Sequence, residues 1–375
     1  MLAQDLLPDP PMTTKRIAVA MSGGVDSSVA AALLLDAGYE VVGFTMQIWP
    51  RDQQAELPHE MRGCCGLDAV DRARRVATAL GIRHYVLNLR EKFEALVIDP
   101  FCDEYARGRT PNPCIRCNTF VKFGPLLQRA REIGAEKLAT GHYARVTYDE
   151  SSSRWKLLVG VDQTKDQSYS LYGLNQEQLS RAIFPLGEMT KEETRKRAAE
   201  LQLATAATPE SQEICFITGE DYRHYLARKR PDVVTPGPIV NSEGKQLGRH
   251  RGVAFYTIGQ RQGLGVASSE PMYVVGIDVA KNRLIVGRAD ELEAKGLVAT
   301  DVNYVTLAAL PPEGKKLAVK IRYGAKAVPC TARPEHGKVR VEFARPQRAV
   351  SPGQAAVLYD GEAVALGGVI EKALG

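Results

Sequence analysis

The sequence has no uncharged apolar run approaching the roughly 18 residues that a membrane-spanning helix requires, which excludes a transmembrane protein. Its first residues, MLAQDLLPDPPMTTKR, lack the basic start and apolar stretch of a signal peptide and the Arg-rich pattern of a transit peptide. They read as a short disordered leader, residues 1–14, on a cytoplasmic protein. There is no low-complexity tract and no internal repeat. An even cysteine set is also missing: the seven thiols, at 64, 65, 102, 114, 117, 215 and 330, argue against a disulfide framework and turn attention to chemistry or metal binding. Neither the G-K-[ST] of a Walker loop nor the G-x-G-x-x-G of a dinucleotide fold is present.

What is present is an ordinary globular mix, 375 residues with 44% apolar side chains. At roughly 100 to 200 residues per domain this length predicts two or three domains. Net charge is only +5, but residues 1–218 carry −2 and residues 219–375 carry +7. Between 315 and 348 ten basic side chains stand against two acidic ones, a density suited to a polyanion and especially to nucleic acid.

The first 140 residues alternate β-rich runs with helical patterns, the mark of a doubly wound parallel α/β sheet. Strands are predicted at Arg16 to Met21, Val41 to Met46, His84 to Leu89 and Lys137 to Thr140. An Ala/Leu helix is predicted from Val25 to Asp36, closed by Gly38, and a second where Leu67, Val70, Val76, Ala77 and Leu80 recur before Gly81. Thr190 and Glu193 form a capping box that opens a helix through Leu201. Residues 219–292 are rich in glycine and short β runs, with strands at Met272 to Ile277 and Arg283 to Val286. From 293 onward Leu317, Val319 and Ile321 alternate with Lys320 and Arg322, and Val339, Val341 and Phe343 with charged neighbours, which predicts a small β-barrel.

The predicted strand from Arg16 runs through Ser22-Gly-Gly-Val-Asp-Ser-Ser28 directly into a helix. Two glycines allow close backbone approach, and a helix N-terminus presents unpaired N–H groups to an anion, so phosphate is expected there. Met46 and Thr140-Gly-His-Tyr143 end neighbouring strands, where ligands of open α/β sheets collect. Met46 suits either adenine packing or the core; Gly141 would let the backbone approach a nucleotide, and His142 either faces substrate or is structural. In Thr110-Pro-Asn-Pro-Cys-Ile-Arg-Cys-Asn118, Cys114 and Cys117 form a C-x-x-C, expected in an exposed turn kept by two prolines. Such a pair means redox chemistry, zinc, an iron–sulfur cluster or sulfur transfer; a zinc site would have to recruit Cys64 and Cys65. Arg116, Arg109 and Lys122 are expected to favour the thiolate. Cys330 reads as a buried, inert thiol, and Cys215 as either that or a reactive one.

The S-G-G-V-D-S-S stretch resembles the PP-loop of N-type ATP pyrophosphatases, which cleave ATP between its α and β phosphates. Taken with G-R-T-P-N-P-x-x-x-C-N, A-T-G-H-Y, K-D-Q-S-Y, the I-C-F around Cys215, T-I-G-Q-R-Q-G-L-G and S-P-G-Q, all in order from about residue 15 to the end, the chain resembles the bacterial tRNA-specific 2-thiouridylase (MnmA) family. The resemblance implies a PP-loop domain at 15–218, a central domain at 219–292 and a C-terminal tRNA-binding β-barrel at 293–375. It implies ATP-dependent replacement of the C2 oxygen of the wobble uridine by sulfur in tRNAs for Lys, Glu and Gln.

Ala20, Met21, Ser22, Gly23, Gly24, Val25, Asp26, Ser27, Met46 and Gly141 would hold ATP, with Asp26 toward Mg²⁺. Cys117 stands at the family's nucleophile, and Cys215 at the position that receives persulfide sulfur from a relay donor protein or a cysteine desulfurase. The two are 98 residues apart and would meet during turnover, leaving a disulfide. Asn112, Pro113 and Cys114 would lie near the target base, Lys165, Asp166 and Gln167 on tRNA, and Arg322, Tyr323 and Gln354 on tRNA from the barrel, with His142, from its place at a strand end, a further candidate to face the tRNA substrate. A monomer or weak dimer is expected, without membrane contact.

This sequence departs from many members at Cys114, where they carry an Asp given a general acid/base role. A thiol of ordinary pKa about 8.5 takes that role only if tuned. The departure opens a second arrangement in which Cys114, Cys117 and Cys215 ligate a [4Fe–4S] cluster. The rivals are an amidating PP-loop ligase, which has no use for the cysteines, and a non-catalytic RNA-binding adaptor that senses ATP.

Overall fold

A computed structural model describes residues 15–49, 67–206, 208, 214–217 and 221–375. The expected leader, Cys64 and Cys65 lie outside these residues. The chain divides into two compact units, the described residues of Met1–Val97, Cys114–Gly219 and Glu362–Val364, and those of Ile98–Pro113, Glu220–Gly361 and Ala365–Gly375.

The first unit is built on a five-stranded parallel sheet of β1 (Arg16–Ala20), β2 (Glu40–Gln47), β3 (Arg83–Asn88), β4 (Lys137–Ala139) and β7 (Ala182–Ile183), in the order β3-β2-β1-β4-β7. The parallel register runs through Ile17↔Val41, Val42↔Arg83, Ile17↔Lys137 and Leu138↔Ala182. Strand order reverses at β1, which makes the crevice beyond the C-terminal ends of β1 and β4 the topological switch point of the sheet. β1 and β4 each stop one residue short of the predicted end, because Met21 and Thr140 already belong to the loops that form that crevice. β7 was not anticipated: two residues carry no periodicity.

Helix α1 (Val25–Asp36) has the predicted bounds, and Gly38 closes it at φ +83. Its run of Ser and Ala leaves almost every side buried, from Val25 through Leu34, so it lies inside the layer and not on its surface. Val76 and Ala77 of α2 (Leu67–Ala79) join it in one core with Ile17, Val19, Val41 and Ala139. A short helix, α3 (Pro113–Cys117), carries the C-x-x-C, and α4 (Lys191–Glu200) opens on the predicted box, Thr190 and Glu193 capping each other reciprocally. The hairpin β5 (Ala144–Asp149) and β6 (Arg154–Val159) completes this unit.

In the second unit β8 (Gly237–Asn241), β9 (Gln246–His250), β10 (Tyr273–Asp278) and β11 (Arg283–Gly287) form a sheet in the order β10-β11-β8-β9. Six further strands, β12 (Glu293–Tyr304), β13 (Lys315–Lys320), β14 (Val328–Glu335), β15 (Lys338–Arg348), β16 (Ala355–Asp360) and β17 (Ala363–Leu374), run β12-β15-β14-β13-β16-β17. β12 also pairs antiparallel with β17, which closes the barrel. Leu317, Val319, Ile321, Val339 and Val341 are buried inside it as their alternation predicts, and Phe343 packs against them half-buried. The expected α/β architecture with a central domain and a β-barrel is therefore present. Among the described residues no helix is long and apolar enough to cross a membrane.

Candidate active site

The loop after β1 is held open by backbone. Gly23 sits at φ +72, and a Cβ there would lie 2.3 Å from the Ala69 carbonyl oxygen of α2, so only glycine fits. Arg72 Nε donates to Gly23 O at 3.0 Å, and the Met21 N–H donates to Phe44 O at 2.7 Å. Ser27 Oγ accepts from the Ser22 N–H at 3.1 Å and bonds Gly24 O at 3.2 Å, so the two serines brace the turn. Gly24 is the N-cap of α1 and brings no side-chain cap. The helix therefore starts with N–H groups that an anion can take, as a phosphate site requires.

Ala20, Val25 and the buried Met21 contribute backbone and packing at this turn, the Met21 sulfur lying against Gly43. Met46 is half-buried, paired with Leu87 across the sheet. A Cβ on Gly141 would come within 2.7 Å of the Asp26 carbonyl carbon and the Ser27 nitrogen, so the glycine makes room for the start of α1.

Asp26, the second residue of α1, does not stand alone. Lys191 Nζ lies 2.7 and 2.8 Å from its two oxygens, and Tyr143 Oη donates to Oδ1 at 2.9 Å. Tyr143 Oη also contacts Thr194 Oγ1 at 3.0 Å. Sequence reasoning missed these partners. Their signals were Tyr143 at the end of A-T-G-H-Y and Lys191 at the first position inside the T-x-x-E box.

The C-x-x-C is not in an exposed turn. Pro113 starts α3, where a missing N–H costs nothing, and the following turns place Cys114 outside and bury Cys117. Lys122 favours the Cys117 thiolate as expected, but burial outweighs it. Burial pushes this thiol up, with Cys114 adding to the rise and Lys122 only partly opposing it. Arg116 donates through Nε to Leu96 O at 2.8 Å and lies over the Phe120 ring at 4.9 Å, while Arg109 is paired with Glu104 at 2.6 Å. Lys122 Nζ donates to Asn118 Oδ1 at 2.8 Å, and Asn118 donates to Ser170 O at 2.9 Å, which fixes the residue after the nucleophile candidate. Cys215 is half-buried and unbridged, followed by Phe216, which packs edge-on against Phe93. Cys330 is buried in the barrel with its thiol pushed up to about 12, as an inert residue should be.

Several residues expected on tRNA do structural work. Asp166 is buried and accepts from the Gly160 and Ser168 N–H groups and from Ser168 Oγ. Gln167 Oε1 accepts from the Tyr143 N–H at 3.1 Å and so fastens the turn beside Lys165 to the loop bearing Tyr143. His142 is buried and bonded to Thr140 Oγ1 at 2.6 Å; burial, with Lys122 adding, holds it well below the usual histidine range and hence neutral.

In the second unit Gln354 Nε2 donates to Thr110 O at 3.0 Å, steadying the segment that leads to the half-buried Asn112 and the buried Pro113. Arg322 is exposed and donates to Arg348 O; with Lys326, Gln347 and Arg348 it lines a groove of about 450 Å³ in the barrel. Tyr323 is 47% exposed.

Three family models match in succession: the tRNA methyl transferase HUP domain over residues 15–219, the tRNA methyl transferase PRC-barrel domain over 223–288 and the aminomethyltransferase beta-barrel domain over 294–370. The tRNA-specific 2-thiouridylase MnmA of Acetivibrio thermocellus is 50% identical over 361 residues, 96% of this chain and 100% of that protein. The chain belongs to the MnmA family. MnmA proteins of Heliobacterium modesticaldum and Carboxydothermus hydrogenoformans are each 51% identical, covering 96% of this chain and 93% and 98% of theirs.

Within an MnmA chain, the donor set can be tested against the groups the resemblance implies. An uncapped helix start with one nearby carboxylate fits a nucleotide that brings its own magnesium, since Mg²⁺ is commonly held by one or two carboxylates together with phosphate. A cluster held by the three cysteines does not fit, and Cys64 and Cys65, which a zinc site would recruit, lie outside the described residues. Among the described residues no three His, Cys, Asp or Glu side chains are grouped to hold a metal, so Cys114, Cys117 and Cys215 do not form a common site.

Proposed function

We propose that this chain is a tRNA-uridine 2-sulfurtransferase that thiolates the wobble uridine of tRNAs for Lys, Glu and Gln at the expense of ATP. The observation that carries the reading is the uncapped, glycine-lined start of α1 at the switch point of the sheet, in a chain half identical to MnmA proteins over nearly all their length. In the assignment of labour, residues 15–218 activate the base, and 219–292 with 293–375 hold the RNA. The ten-to-two excess of basic side chains over residues 315–348 supports the second part.

Gly23, Gly24, Ser22 and Ser27 would hold the β and γ phosphates, Met46 would border the adenine, and Asp26 would help hold magnesium, which would offset phosphate charge. The uracil O2 then attacks the α phosphorus and pyrophosphate leaves, so that an oxygen which cannot depart by itself becomes part of AMP. Cys215 carries sulfane sulfur from a donor protein as a persulfide. The Cys117 thiolate attacks the inner sulfur of that persulfide, forming the Cys117–Cys215 disulfide and expelling hydrosulfide, which displaces AMP from C2. A thiol reductant must reset the pair.

Buried Cys117 is kept protonated until a base or the bound substrate draws the proton, which protects it from solvent oxidants. The flipped uridine is inexpensive to expose because the anticodon loop is already single-stranded. The test is pyrophosphate release with Mg-ATP and unmodified tRNA: release should require uridine at the wobble position, and equal release with a cytidine there would remove the proposed acceptor.

A further inference from the structure

We propose that Lys191 is the counter-charge of the anion site: it neutralises Asp26 so that the Ser22–Ser28 loop accepts a pyrophosphate-class anion before any metal arrives. The inference rests on reading that loop as a phosphate site and adds a residue to it.

Asp26 occupies the first turn of α1, where its carboxylate enjoys the same positive helix end that a phosphate would use. Left bare, it would repel an incoming polyanion and compete with it. Lys191 is only 8% exposed, and it reaches both carboxylate oxygens, at 2.7 and 2.8 Å. Its position is constructed. Thr190 caps α4, the Lys191 N–H donates to Asp162 Oδ2 at 3.0 Å, and the Tyr143 ring lies 5.7 Å from Nζ. A lysine this buried is retained only with a partner, and its partner here is the one acidic side chain in the first turn of α1.

Charge arithmetic then separates two states. With Lys191 the pair is neutral and the helix start attracts phosphate. Without it, one full negative charge faces the anion, and magnesium becomes the compensation that replaces the lost lysine.

The test is calorimetric titration of the full chain with inorganic pyrophosphate and with ATP, in EDTA and again with magnesium. Lys191→Met should weaken pyrophosphate binding about tenfold or more in EDTA and less than about threefold with magnesium. The double variant Asp26→Asn/Lys191→Met, which restores neutrality and keeps the packing, should recover metal-free binding, and Lys191→Arg should retain it. A lysine that only supports the fold would weaken binding equally with and without magnesium and would not be rescued by Asp26→Asn. Equal pyrophosphate affinity of wild type and Lys191→Met in EDTA overturns the inference while leaving the loop assignment intact. Failure of the wild type to bind either anion under any condition overturns both. If Lys191→Met alone does not fold, the double variant and Lys191→Arg still decide the matter.

Discussion

Gly141 and Asp26 are in backbone contact range: a Cβ on Gly141 would lie 2.7 Å from the Asp26 carbonyl carbon. The end of β4 and the start of α1 thus fit against each other without intervening side chains. The phosphate loop is backed by the segment that follows β4 at the switch point of the sheet.

Gly141→Ala should therefore act at a distance of one strand. The new methyl meets backbone that cannot rotate away, so the fold should lose about 1–3 kcal/mol. ATP affinity should fall as the α1 N-terminus shifts. Thermal melts and ATP titration on the same sample check both effects; an unchanged melt would mean that the contact relaxes freely.

Cys117 should respond to pH as a buried thiol. Its folded-state pKa is raised, so at neutral pH it carries less thiolate than an ordinary cysteine. Its alkylation by iodoacetamide should still be rising above the ordinary thiol value of about 8.5. The exposed Cys114 should be labelled first. Peptide mapping after timed alkylation at several pH values measures the order, and faster labelling of Cys117 at neutral pH would show a thiolate-stabilising environment instead.

The cysteines should divide by function. Cys117→Ala and Cys215→Ala should abolish 2-thiouridine formation with tRNA binding retained, and Cys330→Ala should keep the activity. Loss of RNA affinity in the first two variants would indicate a structural part for those thiols. Cys114→Asp, which installs the acid that the family resemblance leads one to expect here, should support turnover.

Much of this architecture was legible in the residues. The glycine pair, the Ala-rich run and Gly38 defined α1 to the residue, and reciprocal Thr190 and Glu193 marked the start of α4. The barrel alternation was equally direct, because each strand shows one face to a core. The burial of Cys117 was not legible, since Pro-Asn-Pro suggests a turn until the second proline is seen to be the first helical residue. Nor was the pairing of Lys191 with Asp26, 165 residues apart, because a lysine in a helix of charged residues looks solvated until tertiary packing covers it. Asp166 and Gln167, which only the resemblance singled out, showed no sign in sequence of the structural bonds they make, in which backbone N–H groups take their oxygens.

The barrel makes an electrostatic prediction. If Arg322, Lys326 and Arg348 meet phosphates, tRNA affinity should fall steeply with salt. Arg322→Ala should reduce the slope of log affinity against log salt by about one. Filter binding across a salt series measures this, and a slope unaffected by the substitution would place the RNA elsewhere.

The central claim is that ATP and sulfur converge on C2 of one uridine. Nucleoside mass spectrometry on unmodified tRNA, incubated anaerobically with the protein, Mg-ATP and a persulfide donor, tests it most directly. The expected result is 2-thiouridine that disappears when ATP is omitted. AMP and pyrophosphate accumulating without any thiolated base would contradict it, leaving an ATP pyrophosphatase with a different acceptor.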